Sequence, residues 1–458
     1  MTRTVPHHIA VIDIGKTNAK LALVDRSTLT EIAVVTRPNT VLQGPPWPHF
    51  DLEGHWAFLL DALGKFHRAH RVDAISVTTH GACAVLLDAN EKLAAPCLDY
   101  EHIGPNEVAD LYDTIRPPFA QTGSPRLSGG LNLGAQLHWQ FHQDPSLRKR
   151  TAHIVTYPQY WGHRLTGALA CDVTSIGCHT DLWCPNTGTF SDLAKTLGIA
   201  DKLAPVRKSN DILGVILPEI AQSTGLPKDT PVAVGIHDSN ASLYPHILSQ
   251  KGPFSVVSSG TWVIVMTVDG QAQVLDPARD TVMNVNALGH PVPSARFMGG
   301  REYEIIQAGQ GIDPAPEDVA HVLANSLMIL PAIEPLTGPF QNHTMRWTGQ
   351  KPAKGTGIRS AALSFYLAMM TSTCLELTAA DGPTIVEGPF ARNMQFMTML
   401  SAATQRPVLQ SQGATGTSIG AALLFGNESS LPAPKAVGFD AKAHAKANYA
   451  AQWRRKCI

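Results

Sequence analysis

The sequence predicts an α/β protein built from two halves of similar plan. Three observations carry that reading. Apolar strands joined by a short Gly-containing turn open the chain at residues 9–26 and return at 254–266. Stretches with helical apolar spacing fill the intervals between strands. Polar residues suited to chemistry gather where strands end, which is where α/β proteins place their sites.

In the opening hairpin, Ile9-Ala10-Val11-Ile12 and Leu21-Ala22-Leu23-Val24 flank a polar turn, Asp13 to Lys20, led by a carboxylate. Gly15 permits close backbone approach to a bound group, and Lys16, Thr17, Asn18 and Lys20 can donate to anionic oxygens. Asp13, at the end of a buried strand, is costly without a cation. Phosphate with a hydrated metal would satisfy all of these groups. Taken alone, a plain hairpin whose Asp caps the turn is the simpler account.

Further along, Asp51 to Arg68 has helical spacing in Trp56, Leu59, Leu60 and Leu63. Ala74 to Thr78 reads as a strand ending in Thr79-His80-Gly81, and Ala84 to Asp88 as the next strand. The Pro- and Gly-rich stretch from Pro96 to Pro125 reads as a long loop carrying Asp99-Tyr100-Glu101-His102, either a binding loop or a solvated one. Helical patterns run from Leu131 to Leu165. Residues 229–235 read as a strand running into His237-Asp238-Ser239-Asn240 and a helix start. Near position 245 the plan restarts with Phe254 to Met266, a second hairpin around Ser259-Gly260-Thr261. Ala361 to Leu377 is a helix, Thr384 to Phe390 a strand broken at Gly388, and Asn393 to Thr404 a helix. From Asn427 the Ala-, Pro- and Lys-rich tail reads as peripheral, with a short terminal helix.

At 458 residues the chain accommodates two large domains or three ordinary ones, and the restart predicts domains at 1–244 and 245–458. Hydrophobic residues make up 44% and charged residues 16%, the latter below the ~25% of an ordinary soluble chain. That composition argues against disorder and is compatible with a homodimer. A net charge of -1 supplies no field to attract nucleic acid or an anionic membrane. The seven scattered cysteines, with no CxxC pair, read as buried thiols in a reducing compartment. The spacing of Cys178, His179 and Cys184 fits no common zinc site. No basic-then-apolar leader and no apolar run near ~18 residues is present, so a soluble, cytoplasmic protein is expected.

Six stretches, in order, resemble the FGGY carbohydrate kinases of the actin-like ATPase superfamily. DIGKTNAK at 13–20 and SSGTW at 258–262 are similar to that family's two phosphate hairpins. YPQYWGHRLTG at 157–167 resembles its LTG stretch, and GIHDSNAS at 235–242 its catalytic-aspartate turn. The run at 385–408 resembles its adenosine segment and GATGTSIGAALL at 413–424 the helix after it. Within the family, the style of GIHD and SSGTW is nearest to kinases of rhamnulose or fuculose. Departures include Gln159, where many members carry a charge, and Glu387 and Pro389 in place of a plainer Gly run.

The resemblance implies a two-domain actin-like (ribonuclease H-like) fold, each domain a mixed sheet flanked by helices, with the active site in the interdomain cleft. It implies ATP and Mg²⁺ as cofactors and a small-molecule sugar as substrate. Asp238 would be the catalytic base, and Asp13 with Asp238 would hold the metal. Gly15, Lys16, Thr17, Asn18, Lys20, Ser259, Gly260 and Thr261 would meet phosphate, and Gly388 and Asn393 the adenosine. His80, Gly81, Asp99, His102 and His237 are the candidates for the sugar. Read without its neighbours, Asp238 is more simply an N-cap of the following helix.

Two rival functions follow from other features. Gly416-Thr417-Ser418-Ile419-Gly420 matches the G-x-S-x-G elbow of esterases, with Asp440 and His444 in triad order, but the short remaining chain leaves no room for the rest of that sheet. An actin-like or chaperone-like ATPase switch without a sugar would need neither GIHD nor the 99–102 loop.

Overall fold

In the computed structural model, residues 6–412, 416–426, 432–438 and 440–457 are described. They fall into two compact units. One comprises Met1–Ser249, Met283–Pro291 and Ala414–Leu431, and the other Gln250–Val282, Val292–Gly413 and Pro432–Ile458. The chain therefore visits the first unit three times.

The first unit is organised on β1 (His8–Ile14), whose apolar run is buried along nearly its whole length. Alternate residues of a strand face opposite sides, so a strand covered on both faces must be apolar throughout. Here Ala10, Ile12 and Ile14 pack with one core, and Ile9 and Val11 with another. β1 pairs antiparallel with β2 (Asn18–Asp25), which pairs with β3 (Thr30–Pro38). The helix α1 (Leu52–His70) starts where Asp51 accepts from the Gly54 amide, an N-cap, and buries Leu59, Leu63 and Phe66 against the Ile12 side.

On its other edge β1 pairs in parallel with β4 (Ala74–Thr79). The helices α2 (Leu133–Gln143) and α3 (Tyr157–Thr166) follow. β5 (Ile212–Val215) and β6 (Pro231–Ala233) complete the order β5-β6-β4-β1-β2-β3, and β7 (Ile236–His237) also pairs with β4. Chain direction then turns into α4 (Asp238–Ser249).

The second unit repeats the local plan. β8 (Phe254–Ser259) and β9 (Val263–Val268) form an antiparallel hairpin. With β10 (Thr281–Val285) and β11 (Pro291–Phe297) on one side, the sheet runs β10-β11-β9-β8 and continues into β12 (Thr384–Glu387), β13 (Val408–Gln410) and β14 (Lys435–Ala436). α5 (Gly299–Gln307) follows β11, and α6 (Gly357–Leu377) is buried along almost its entire length. β12 (Thr384–Glu387) lies parallel to β8, as β4 lies parallel to β1. α7 (Met394–Thr404) and β13 (Val408–Gln410) lead to α8 (Thr417–Ala422), which packs in the first unit on the Ile9 and Val11 core. Of the stretch 413–424, residues 413–415 lie outside the described residues. β14 (Lys435–Ala436) and α9 (Ala443–Cys457) end the chain.

Two expectations need correction. The tail is not peripheral: α9 buries Tyr449 and Trp453 in the second unit's core, where their polar atoms donate to the Leu327 and Ile329 carbonyls at 2.9 and 2.8 Å. Ala-rich composition hid this, because two aromatic residues carry the packing. The strand Ala84–Leu87 does not pair with β4; it pairs with His153–Thr156 in a separate two-stranded sheet. That second strand interrupts the helical patterns expected from Leu131 to Leu165. Among the described residues no helix is long and apolar enough to cross a membrane, and six of the seven cysteines are buried.

Candidate active site

The first turn is wired by charge. Gly15 donates its amide to the Asn18 carbonyl at 2.9 Å, and Asn39 fastens the turn through the Thr17 and Gly15 carbonyls, both at 2.9 Å. Asp13, 9% exposed, lies on the Ile9 and Val11 face, under the start of α8. Its Oδ2 accepts from Thr417 Oγ1 at 2.6 Å and Ser418 Oγ at 3.2 Å, and lies 3.1 Å from Lys20 Nζ. Burial works against the Lys20 ammonium, but the carboxylates of Asp13 and Glu31 outweigh it and hold its pKa above the ordinary lysine value. Thr17 and Asn18 are exposed at the tip. Lys16 turns the other way. Its Nζ pairs with Asp99 and, at 3.1 Å, with Glu101, and sits 5.3 Å over the Phe50 ring and 5.0 Å over that of Tyr100.

Beyond β4, His80 donates its amide to the Ile14 carbonyl, tying the strand end to the first turn. Its ring is 5% exposed and packs among Phe50, Tyr100 and Tyr157, with centroids 5.1, 5.0 and 5.0 Å away. Burial pushes its pKa down to about 4, although the Gly81 carbonyl and the Asp238 carboxylate pull the other way. The ring is therefore neutral at pH 7. Nδ1 lies 2.9 Å from the Gly81 carbonyl, and Nε2 has no partner among the described residues. A neutral imidazole donating from Nδ1 offers a lone pair at Nε2.

His237 closes the same corner. Burial lowers its pKa to about 4 as well, and its Nε2 stands 3.2 Å from Asp238 Oδ1. A Cβ on Gly81 would sit 2.7 Å from that Nε2, so the glycine makes room for the ring. Asp238 begins α4 with its side chain a third exposed (33%), and Oδ1 accepts from the Ser239 amide at 2.6 Å. Burial raises the Asp238 pKa against the help of His80 and Ser239, and the Asp13 charge adds to the rise. The backbone beneath is fixed by two groups. Gln159 Nε2 donates to the Val234 carbonyl at 2.9 Å, and Thr174 Oγ1 accepts from the His237 amide at 2.9 Å. A neutral Gln at 159 thus holds the strand that delivers Asp238.

Of the sequence-derived residues in this unit, Lys16, His80, Gly81, Asp99, His237 and Asp238 come together, with Asp13 within electrostatic reach. His102 leans elsewhere: its ring packs on Trp139, 5.1 Å between centroids. The aromatic wall of Phe50, Tyr100 and Tyr157 carries no motif of its own in the sequence. Tyr100 sits between Asp99 and Glu101 and Tyr157 opens the YPQYWGHRLTG stretch, which were the signals available.

In the second unit, Ser259 Oγ donates to the Glu387 carbonyl and accepts from the Phe390 amide at 3.0 Å. Gly260 and Thr261 are exposed at the turn, and the Thr261 carbonyl accepts from the Gly300 amide at 3.1 Å. Gly388 has φ +76°, and a Cβ there would overlap the Ser259 carbonyl oxygen. Asn393 is the N-cap of α7, accepting from the Phe396 amide at 3.1 Å while its Nδ2 donates to Ser364 Oγ at 2.9 Å. The esterase alternative loses its parts here: Ser418 is buried and bonded to Asp13, and Asp440 pairs with Lys446 at 2.9 Å.

Comparison with known proteins divides the chain near residue 250. Residues 8–244 match the model of the FGGY family of carbohydrate kinases, N-terminal domain, and residues 251–434 that of the carbohydrate kinase FGGY, C-terminal domain. The structure is similar to a carbohydrate kinase from Novosphingobium aromaticivorans, with 33% identity, a TM-score of 0.90 and 99% of each chain covered. The sequence is 26% identical over 270 residues to L-fuculokinase of Salmonella typhi, covering 57% of each chain. It is 27% identical over 281 residues to a probable L-xylulose kinase of Haemophilus influenzae, covering 57% of this chain and 56% of that one. The chain thus spans little more than half the length of the curated relatives it matches. The fold is that of the actin-like ATPases.

Proposed function

The chain belongs to the FGGY family of carbohydrate kinases, and from that premise we propose that it transfers the γ-phosphate of ATP to a hydroxyl of a ketose or related polyol. A deoxyketose such as L-rhamnulose or L-fuculose is the acceptor this reading favours, and the likeness to an L-fuculokinase supports it. The observation that carries the reaction is the Asp238 corner: a partly exposed carboxylate 3.2 Å from His237 Nε2, beside a neutral His80 whose Nε2 has no partner among the described residues.

Phosphoryl transfer asks the protein for positioning and charge stabilisation rather than a covalent partner. Asp238 accepts the proton of the attacking hydroxyl, and the His237 Nε2–H holds Oδ1 so that the carboxylate keeps its aim. His80 Nε2 accepts from a second sugar hydroxyl, with Phe50, Tyr100 and Tyr157 as the apolar wall. Backbone amides around Gly15, with Thr17 and Asn18, meet the transferring phosphate. Gly260 and Thr261 supply further phosphate contacts, Ser259 holds their turn through Glu387 and Phe390, and Gly388 and Asn393 flank the adenosine. Lys20 acts one step back, by holding Asp13.

Mg²⁺ fits the acidic pair. Asp13 raises the pKa of Asp238, an opposition that a cation relieves. Among the described residues no group of three or more His, Cys, Asp or Glu could hold an ion by itself. One or two carboxylates with waters and phosphate oxygens is the way Mg²⁺ is usually held. When bound, it would neutralise charge on the phosphates.

The test is ADP release with a panel of ketoses and polyols, for the wild type and Asp238→Asn. The variant is expected to bind nucleotide normally and to lose about 10²- to 10⁴-fold in kcat. Turnover that survives the substitution would remove Asp238 from the role of base.

A further inference from the structure

We propose that Lys16 serves the acceptor side of the site, tying the 99–101 loop to the first hairpin, and that the surplus negative charge around it selects a neutral acceptor over a sugar acid. The inference rests on the kinase reading above and names the chemical class of its acceptor.

Lys16 springs from the turn expected to meet phosphate, yet its ammonium is already committed. It pairs with Asp99, itself 7% exposed, and with Glu101. It also lies over the faces of Phe50 and Tyr100, where ring quadrupoles favour a cation. Those same two rings contact His80. One side chain therefore joins the hairpin, the 99–101 loop and the wall of the acceptor pocket. Drawing the ammonium away to a phosphate would leave Asp99 buried without its cation, which is the costly half of breaking such a pair.

The charges in this corner do not cancel. Asp99, Glu101 and Asp238 bring three carboxylates, and Lys16 supplies one ammonium. Lys20 is spent on Asp13 and Glu31. A carboxylate on the acceptor would meet like charge from the buried Asp99 and the partly exposed Asp238, a repulsive element that discriminates more sharply than lost attraction. A neutral polyol instead brings hydroxyl donors to the carboxylates and to His80 Nε2, which is buried and has no partner among the described residues.

The experiment pairs each neutral ketose or polyol with its matching sugar acid and measures transfer from ATP with Mg²⁺. The full chain is compared with Lys16→Met, Lys16→Arg and Asp99→Asn. The wild type is expected to favour the neutral member of a pair by about 100-fold or more in kcat/KM. Lys16→Met should raise the acceptor KM about ten-fold or more, with the calorimetric Kd for nucleotide within about two-fold. Lys16→Arg, which keeps the charge, should restore most of the acceptor affinity. Asp99→Asn should raise the acceptor KM in the same sense, and it carries the test if Lys16→Met does not fold.

Weakened nucleotide binding with an unchanged acceptor KM in Lys16→Met would return the lysine to the phosphate and overturn the inference. A wild type that prefers sugar acids would overturn it while leaving the kinase reading intact. Transfer to no member of the panel would overturn the kinase reading itself and this inference with it.

Discussion

The two hairpins share a plan and differ in what holds them. Each is an antiparallel pair whose first strand also runs parallel to a later strand, β4 for the first and β12 for the second. Around the first turn the ties are ionic: Asp13 to Lys20, and Lys16 to Asp99 and Glu101. Around the second they are backbone contacts and one hydroxyl, with Ser259 bridging Glu387 and Phe390 and the Thr261 carbonyl receiving the Gly300 amide. One topology is thus stabilised once by charge and once by close backbone approach. The first arrangement commits its charged side chains to one another and leaves Thr17 and Asn18 exposed, and the second leaves Gly260 and Thr261 exposed.

The glycines that follow the two parallel strands sharpen the contrast most. Gly388 has φ +76°, and its missing Cβ would overlap a backbone oxygen, which cannot rotate away. Gly388→Ala is expected to destabilise the second unit by about 3 kcal/mol or more, since strain and overlap add. Hydrogen exchange in β12 and α7 reads this directly, and protection within about 1 kcal/mol of wild type would show that the turn tolerates a side chain.

Gly81 is crowded only by the His237 imidazole, 2.7 Å from where the Cβ would sit. A side-chain end can give way. Gly81→Ala is expected to cost no more than about 1.5 kcal/mol in stability. Yet it should lower kcat by about 10- to 100-fold, because a displaced His237 no longer orients Asp238. An unimpaired kcat would break the parallel between a structural glycine and a functional one.

How much of this was legible follows from the same contrast. Patterns that repeat along the chain were readable: both hairpins, the helix ended at Leu377, and the strand broken at Gly388 all depend on local periodicity and turn residues. The gathering of His80, Gly81, His237 and Asp238 was also readable, because each stands at the end of a strand in one parallel set. What could not be read were pairings across long stretches of chain. Lys16 looks like a phosphate ligand in sequence, and only the fold brings Asp99 to it. The side chains of Ser259 and Asn393 are engaged with Glu387, Phe390, Ser364 and Phe396, contacts that no local pattern announces. Composition misled once, at α9, where Tyr449 and Trp453 anchor a tail otherwise rich in Ala and Lys.

Acidity separates the units as well. His55, His80 and His237 are buried in the first unit, and burial takes each from 6.5 to about 4. Between those values the unfolded chain binds more protons than the native one, so the stability they confer is complete above about pH 6.5 and is lost as pH falls toward 4. Asp172 opposes them in part, as a buried acid lifted to about 6. In the second unit the sign reverses at Glu302, on the helix that meets the Thr261 turn. Burial raises its pKa from 4.5 to about 7 despite the Glu334 amide. There the native state holds the extra proton, so stability falls as pH rises from about 4.5 to 7. Glu302→Gln should therefore gain protection in α5 over wild type on going from pH 5 to pH 8, by about 1–3 kcal/mol. An equal difference at both pH values would mean that Glu302 is ionised throughout.

The smallest expected effect belongs to Ser259, and it tests whether the second hairpin's hydroxyl is structural. Ser259 Oγ satisfies the Phe390 amide and donates to the Glu387 carbonyl, both at the start of the segment that leads to Asn393 and α7. Ser259→Ala leaves a buried N–H without its acceptor, which costs about 1–2 kcal/mol. The loss should appear as reduced protection at residues 387–393, with β1, β2 and β4 unchanged. Because the hydroxyl is engaged within its own unit, nucleotide affinity should move less than about three-fold in the variant. A ten-fold weaker nucleotide with undiminished protection would mean instead that Ser259 turns its hydroxyl to phosphate, and the second turn would then resemble the first in its chemistry as well as its topology.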